Sequence, residues 1–205
     1  MILKYQGKKT EKDIIENIKE CNLKYVSGNS NNKSKLIKGE NLEIMKFLIE
    51  KKNLKGKIDL VYIDPPFATK NIFRMGKDKA NGISRSLSDN IAYEDSLVGI
   101  EYLEYIRERL ILLKQLMSEK GSIYVHIDYK IGHYIKILMD EIFGQENFIN
   151  DITRIKCNPK NFNRKAFGNI KDLILLYSKT DKFIWNEQKM PYSEEDIKRL
   201  FKKVG

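Results

Sequence analysis

Six residues, Ile58-Asp-Leu-Val-Tyr-Ile63, run almost wholly apolar and then meet Asp64-Pro65-Pro66-Phe67. Two consecutive prolines have no N–H to give a strand ladder and fix φ near about −65°, so an extended segment must stop there. An apolar run of this length without polar alternation is expected of a strand covered on both faces in a parallel sheet. Parallel strands need long, usually helical crossovers.

The sequence supplies them. Ile100, Leu103, Ile106, Leu110, Leu113 and Met117 recur at steps of three and four, one continuous helical stripe, and Gly121 closes it. Ile123-Tyr-Val-His-Ile127 reads as a second buried strand ending at Asp128, and Ile131, Ile135, Leu138 and Ile142 mark a helix that ends near Gly144. Further strands are expected at 149–155 and 173–177, and a short helix over 41–49, where Leu42, Ile44, Met45, Leu48 and Ile49 follow the Gly39 turn. Strands alternating with helices predict an α/β domain with a mainly parallel sheet. From Ala68 to about Ser96 no period appears, and Gly, Lys, Asn and Ser dominate. That stretch is expected to be a long loop or lid, mobile when nothing is bound.

The formal charge of +10 is unevenly placed. Residues 1–57 carry 14 basic and 7 acidic side chains, residues 58–149 carry 11 and 14, and residues 150–205 carry 13 and 7. Between Ile152 and Lys171 stand Arg154, Lys156, Lys160, Arg164, Lys165 and Lys171 with no acid, interleaved with Phe162 and Phe167. Cations that neutralise phosphates and aromatics that stack on bases suit nucleic acid; a solvated basic loop is the alternative on composition alone. Cys21, Cys157 and two histidines give neither a disulfide framework nor C-x-x-C or H-E-x-x-H spacing, so no metal site is expected. No apolar run approaches the ~20 residues of a membrane span, and Met1-Ile-Leu-Lys4 lacks a signal-peptide core; a cytoplasmic location without membrane contact is expected.

Ligands of open α/β sheets bind beyond the carboxyl ends of the strands, and Asp64-Pro65-Pro66-Phe67 occupies such an end. The prolines hold nearby carbonyls in one direction, Asp64 adds an acceptor and Phe67 a flat apolar face. The set fits a planar ring bearing an exocyclic NH2. The ring stacks on Phe67, and the amine donates one hydrogen to Asp64 and one to the Pro65 carbonyl. An aromatic amine is a poor nucleophile because its lone pair is delocalised. Two fixed acceptors draw it towards a tetrahedral nitrogen and stabilise the positive charge that develops as it attacks.

Several ordered stretches, roughly from residue 36 to 200, resemble the S-adenosylmethionine-dependent DNA methyltransferases that modify exocyclic amines, whose motif is D/N/S-P-P-Y/F/W. They are Leu36 to Glu43, Ile58 to Phe67, Gly121 to Asp128, Gly132-His133-Tyr134 with Met139 to Gly144, Asn147-Phe148, and Asp172 to Lys179. The resemblance implies a Rossmann-like sheet, base flipping and methyl transfer to double-stranded DNA. It assigns Asp64, Pro65, Pro66 and Phe67 to catalysis, and Glu40, Asn41 and Asp64 to the cofactor. The basic residues Arg154, Lys156, Lys160, Arg164 and Lys165 are the candidate DNA contacts. Aspartate at the first motif position favours adenine over cytosine. His126 is expected to be a core histidine and Asp128 a helix cap, with a supporting role in the pocket second. Cys157-Asn158-Pro159 has the wrong order for the nucleophile of cytosine-ring methylation.

A glycine-rich turn that lets the backbone approach the cofactor is missing: twelve glycines include no G-x-G. The chain is therefore expected to be an incomplete methyltransferase. Residues 1–34 form a basic polar arm and linker, 35–185 the catalytic part, and 186–205 the start of a connection towards a target-recognition region. The partners expected are the remaining C-terminal half, a restriction subunit or a second copy. The competing readings are a non-catalytic DNA-binding or partner-docking fragment, cytosine-N4 methylation, and methylation of RNA or protein amines.

Overall fold

The protein is seen in a computed structural model that describes residues 2–24, 34–66, 72–75, 83–84, 90–94, 99–155, 170–189 and 191–200. The elements are α1 (Glu11–Asn17), α2 (Asn41–Glu50), β1 (Ile58–Ile63), β2 (Ile72–Met75), β3 (Ile83–Ser84), β4 (Asn90–Glu94), α3 (Gly99–Leu116), β5 (Met117–Ile127), α4 (Tyr129–Phe143), β6 (Phe148–Ile155), β7 (Lys171–Ser178) and α5 (Glu194–Leu200). Of the helices and strands read from the sequence, those around 41–49, 58–63, 100–117, 123–127, 131–142, 149–155 and 173–177 are all present, with shifts at their ends.

Four strands form a sheet in the order β1-β5-β7-β6. β1 pairs with β5 in parallel, while β7 is antiparallel to both β5 and β6. β1, β5 and β6 therefore run one way and β7 alone is reversed between its neighbours. The α/β class stands, and the sheet is mainly parallel in strand direction although only one of its three pairings is parallel.

Alternation sorts the side chains onto two faces. Val61, Ile123, Val125, Ile127, Leu173, Leu175 and Tyr177 share the core with Leu110 of α3 and Leu138 and Met139 of α4. The Tyr177 hydroxyl reaches Asp140 of α4 at 2.6 Å. Burial, and then the Asp140 carboxylate beside it, push this phenol well above the usual tyrosine range.

The other face differs from expectation at β1. Leu60 is 64% and Tyr62 57% exposed, so this strand is not covered on both faces. It lies at the edge of the sheet, and among the described strands β5 is its one neighbour. An apolar run has the same composition whether its second cover is present or not.

Two other stretches hold structure that periodicity did not reveal. Part of the expected arm is helix α1, whose capping box has Asp13 N–H donating to Thr10 Oγ1 at 3.1 Å and Thr10 N–H donating to Asp13 Oδ2 at 3.2 Å. Ile14 and Ile18 belong to the core. Lys8 meets Glu141 of α4 at 2.6 Å, and Arg107 of α3 donates to the Lys9 carbonyl at 2.8 Å. The expected lid contains the antiparallel sheet β3-β2-β4. Strands of two to five residues are too short to display a period. The remaining residues of 68–95, and the mobility expected of that lid, lie outside the described residues.

Gly121, expected to close the α3 stripe, lies inside β5, after Leu116 has already ended α3. The β1–β5 register slips here, from Ile58 opposite Met117 to Leu60 opposite Ser122. A Cβ on Gly121 would stand 2.9 Å from the Ile58 carbonyl oxygen. Gly121→Ala must push β1 away from β5, and we expect it to lower stability by about 1–3 kcal/mol. Urea unfolding measures this, and an unchanged midpoint would refute the close approach.

Candidate active site

The parallel register sets the position of Asp64. Ile63 lies opposite Val125, so the next step puts Asp64 beside His126 at the carboxyl edge of the sheet. The His126 Nδ1 stands 3.3 Å from Asp64 Oδ1, and its Nε2 stands 3.4 Å from Oδ2 of Asp172 on β7. Arg154 of β6 donates from Nη1 to the same Asp172 oxygen at 3.0 Å. His126 and Asp172 are buried, whereas the Asp64 side chain is 55% exposed. The motif carboxylate thus faces solvent with a buried base behind it.

The prolines are held from the other side. Tyr102 of α3, itself fully buried, donates its hydroxyl to the Pro66 carbonyl. Its ring stacks on Tyr105 with centroids 6.3 Å apart, and the Arg109 guanidinium lies 3.4 Å above the centre of Tyr105. Arg109 Nη2 donates to Glu40 Oε1 at 2.9 Å. Residues 102, 105 and 109 follow helical spacing, so one side of α3 links the motif to the start of α2.

Glu40 caps α2 by accepting the Leu42 N–H at 3.3 Å, and Asn41 is the first helical residue. Both structural contacts of Glu40 use Oε1, and its side chain is half exposed. That carboxylate retains acceptor capacity for a hydroxyl-bearing ligand. Asp128 is the N-cap of α4, accepting the Lys130 N–H at 2.9 Å, in the role the sequence suggested first. His126 is buried, as expected first of a core histidine, and it stands beside the motif carboxylate.

Of the basic candidates, Arg154 is described; its side chain is 57% exposed and engaged with Asp172. Lys156, Lys160, Arg164 and Lys165 lie outside the described residues, as do Phe67 and Cys157. Sequence reasoning missed Tyr102, Tyr105, Arg109 and Asp172. The one signal available was a polar and aromatic side to α3 at spacing 102, 105, 109, flanking its apolar stripe. A cavity of about 430 Å³ lined by Lys55, Lys114, Glu119 and Lys179 lies towards the amino ends of β1 and β5, away from Asp64. Among the described residues no group of three or more His, Cys, Asp or Glu could hold a metal ion, and no helix is long and apolar enough to cross a membrane.

The family model for N6/N4 methyltransferases, described as DNA methylase, matches residues 58–204. The type II methyltransferase M.EcaI of Enterobacter cloacae is 38% identical over 207 residues, covering 98% of this chain and 42% of its own length. The Mod subunit of the type III restriction-modification enzyme EcoP15I of Escherichia coli is 28% identical over 190 residues, covering 86% of this chain and 29% of its own length. The chain thus spans less than half of either relative. Among solved structures, a complex of M1.HpyAVI with SAM superposes with a TM-score of 0.46 at 19% identity, over 76% of this chain and 60% of that one.

Tyr102→Phe removes the hydroxyl that satisfies the Pro66 carbonyl while keeping the ring in the core. The expected cost is about 1–2 kcal/mol in chemical denaturation with the circular dichroism spectrum unchanged. A variant as stable as the parent would show that the hydroxyl does not anchor the motif.

Proposed function

The chain belongs to the N6/N4 DNA methylase family, and from that membership we propose that it is the catalytic part of a DNA methyltransferase acting on the exocyclic amine of adenine. The observation that carries this reading is the half-exposed Asp64 carboxylate at the carboxyl end of β1, followed by prolines whose carbonyl is anchored by Tyr102. Asp64 accepts one amine hydrogen and the Pro65 carbonyl the other, and Phe67 stacks on the extruded base. Holding both hydrogens localises the nitrogen lone pair and aims it away from the acceptors. The fixed negative charge of Asp64 favours the cationic nitrogen that develops during attack.

S-adenosylmethionine, when bound, supplies an electrophilic methyl group on sulfur. The half-exposed carboxylate of Glu40 suits the hydroxyl-bearing end of such a group, and Arg109 fixes its direction. Asn41 stands next to it at the head of α2. The glycine turn that would approach the methionine part has no counterpart among the twelve glycines. It belongs, in this reading, to a segment that adds strands at the β1 edge and covers Leu60 and Tyr62. A restriction subunit is the partner suggested by the type III names among the relatives, and action on cellular DNA would place the protein in the cytoplasm.

Adenine is preferred to cytosine because the motif begins with aspartate. Arg154 and the basic residues after it supply phosphate contacts that position the duplex, leaving base recognition to Asp64 and Phe67.

The test is methyl transfer from labelled S-adenosylmethionine to DNA by the protein joined to its remaining part, followed by nucleoside analysis. Label is expected in N6-methyladenine, and Asp64→Ala is expected to lower the rate at least about 10³-fold without shifting the melting temperature by more than about 2 °C. Label in N4-methylcytosine would replace the adenine reading. Full activity of Asp64→Ala would remove Asp64 from the chemistry.

A further inference from the structure

We propose that His126 and Asp172 are positioning residues for Asp64. Together with Arg154 they form a row of contacting polar side chains that holds one oxygen of Asp64 and leaves the other for the substrate amine. The proposal rests on the reading of Asp64 as the amine acceptor.

The row follows the sheet. In the order β1-β5-β7-β6, each strand or its immediate end contributes one residue: Asp64, His126, Asp172 and Arg154. Arg154 is the register partner of Asp172. His126 lies opposite Ile174, two residues from Asp172 and therefore on the same face. All four side chains thus lie in line at one edge, on the face that also carries Leu60 and Tyr62.

The energetics explain why the line holds. Asp172 is 2% exposed, and a carboxylate so buried must be paired. Its Oδ2 receives Arg154 from one side and faces His126 from the other. His126 in turn has a carboxylate at each ring nitrogen, 3.3 Å from Nδ1 and 3.4 Å from Nε2. An N–H on Nδ1 would donate to Asp64 Oδ1.

The consequence falls on Asp64, the exposed member. Its chain continues into prolines that fix the backbone but leave the side-chain torsions free. A donor at Oδ1 removes that freedom before substrate arrives, so the carboxylate need not be ordered during the reaction. Both imidazole distances exceed the usual range slightly, and such contacts tighten when a site fills. A histidine that merely packed between strands would have no reason to face two carboxylates in line with the motif.

The experiment has two arms. Long-range nitrogen–proton NMR of this chain reads the imidazoles directly, and with two histidines in the sequence, His126 is assigned by its loss in His126→Ala. We expect a proton on Nδ1 of His126. Asp64→Asn should shift the Nδ1 signal and Asp172→Asn the Nε2 signal, while His133 stays unmoved.

In the methyl-transferring protein, His126→Ala should lower kcat about 10- to 100-fold, with KM for DNA and for S-adenosylmethionine within about twofold. His126→Asn, whose amide can still donate, should recover part of that loss. An Nδ1 signal indifferent to Asp64→Asn, or an unchanged kcat in His126→Ala, overturns the row even if Asp64→Ala abolishes transfer. A coupled spectrum with transfer surviving Asp64→Ala overturns the reading of Asp64 itself, and the positioning role with it.

Discussion

The parallel pairing of β1 with β5 is the constraint on which the site depends. Without it, Asp64-Pro65-Pro66 would be a proline-terminated strand end with no partner. With Ile63 opposite Val125, the next residue of each strand meets across the carboxyl edge, and a carboxylate comes to face an imidazole. A slip of one residue would turn His126 to the other face. The register is protected by the core: Val61, Ile123, Val125 and Ile127 all project to the helix-covered side, and any shift would exchange them for Tyr62, Tyr124 and His126. Packing of an apolar face thereby fixes the chemistry on the opposite one.

The motif is also gripped from a second direction by α3. Tyr102 holds the Pro66 carbonyl, and the stacked Tyr105 and Arg109 continue the contact to Glu40 at the head of α2. The two regions that the family resemblance assigns to target amine and cofactor are therefore joined by one helix side. Arg107, on another side of the helix, serves the N-terminal segment through Lys9 and Glu104. Thus α3, read from sequence as a plain amphipathic helix, carries polar anchors on both flanks of its apolar stripe.

What the sequence made legible was whatever has a local signature. β1, β7 and the second half of β5 are short apolar runs, α3 and α4 repeat at helical spacing, and two adjacent prolines mark the end of β1. The reversal of β7 has no such signature, because a strand alternates identically in either direction. Helix α1 was hidden because few of its residues reach the core, and β2 to β4 because they are too short to show a period. In the site, Asp64 announced itself through its neighbours. Tyr102 could not, since the carbonyl it holds is 36 positions away, and neither could Asp172, whose significance lies in strand order.

In the proposed function the fold presents Asp64 to an extruded base. A structure of the protein, joined to its remaining part, on a duplex containing its target reads this most directly. The exocyclic nitrogen of a flipped adenine is expected within about 3 Å of both an Asp64 carboxylate oxygen and the Pro65 carbonyl, with Oδ1 of Asp64 still against His126. A target base whose amine is held elsewhere, with Asp64 turned away from it, would refute the proposed role of Asp64.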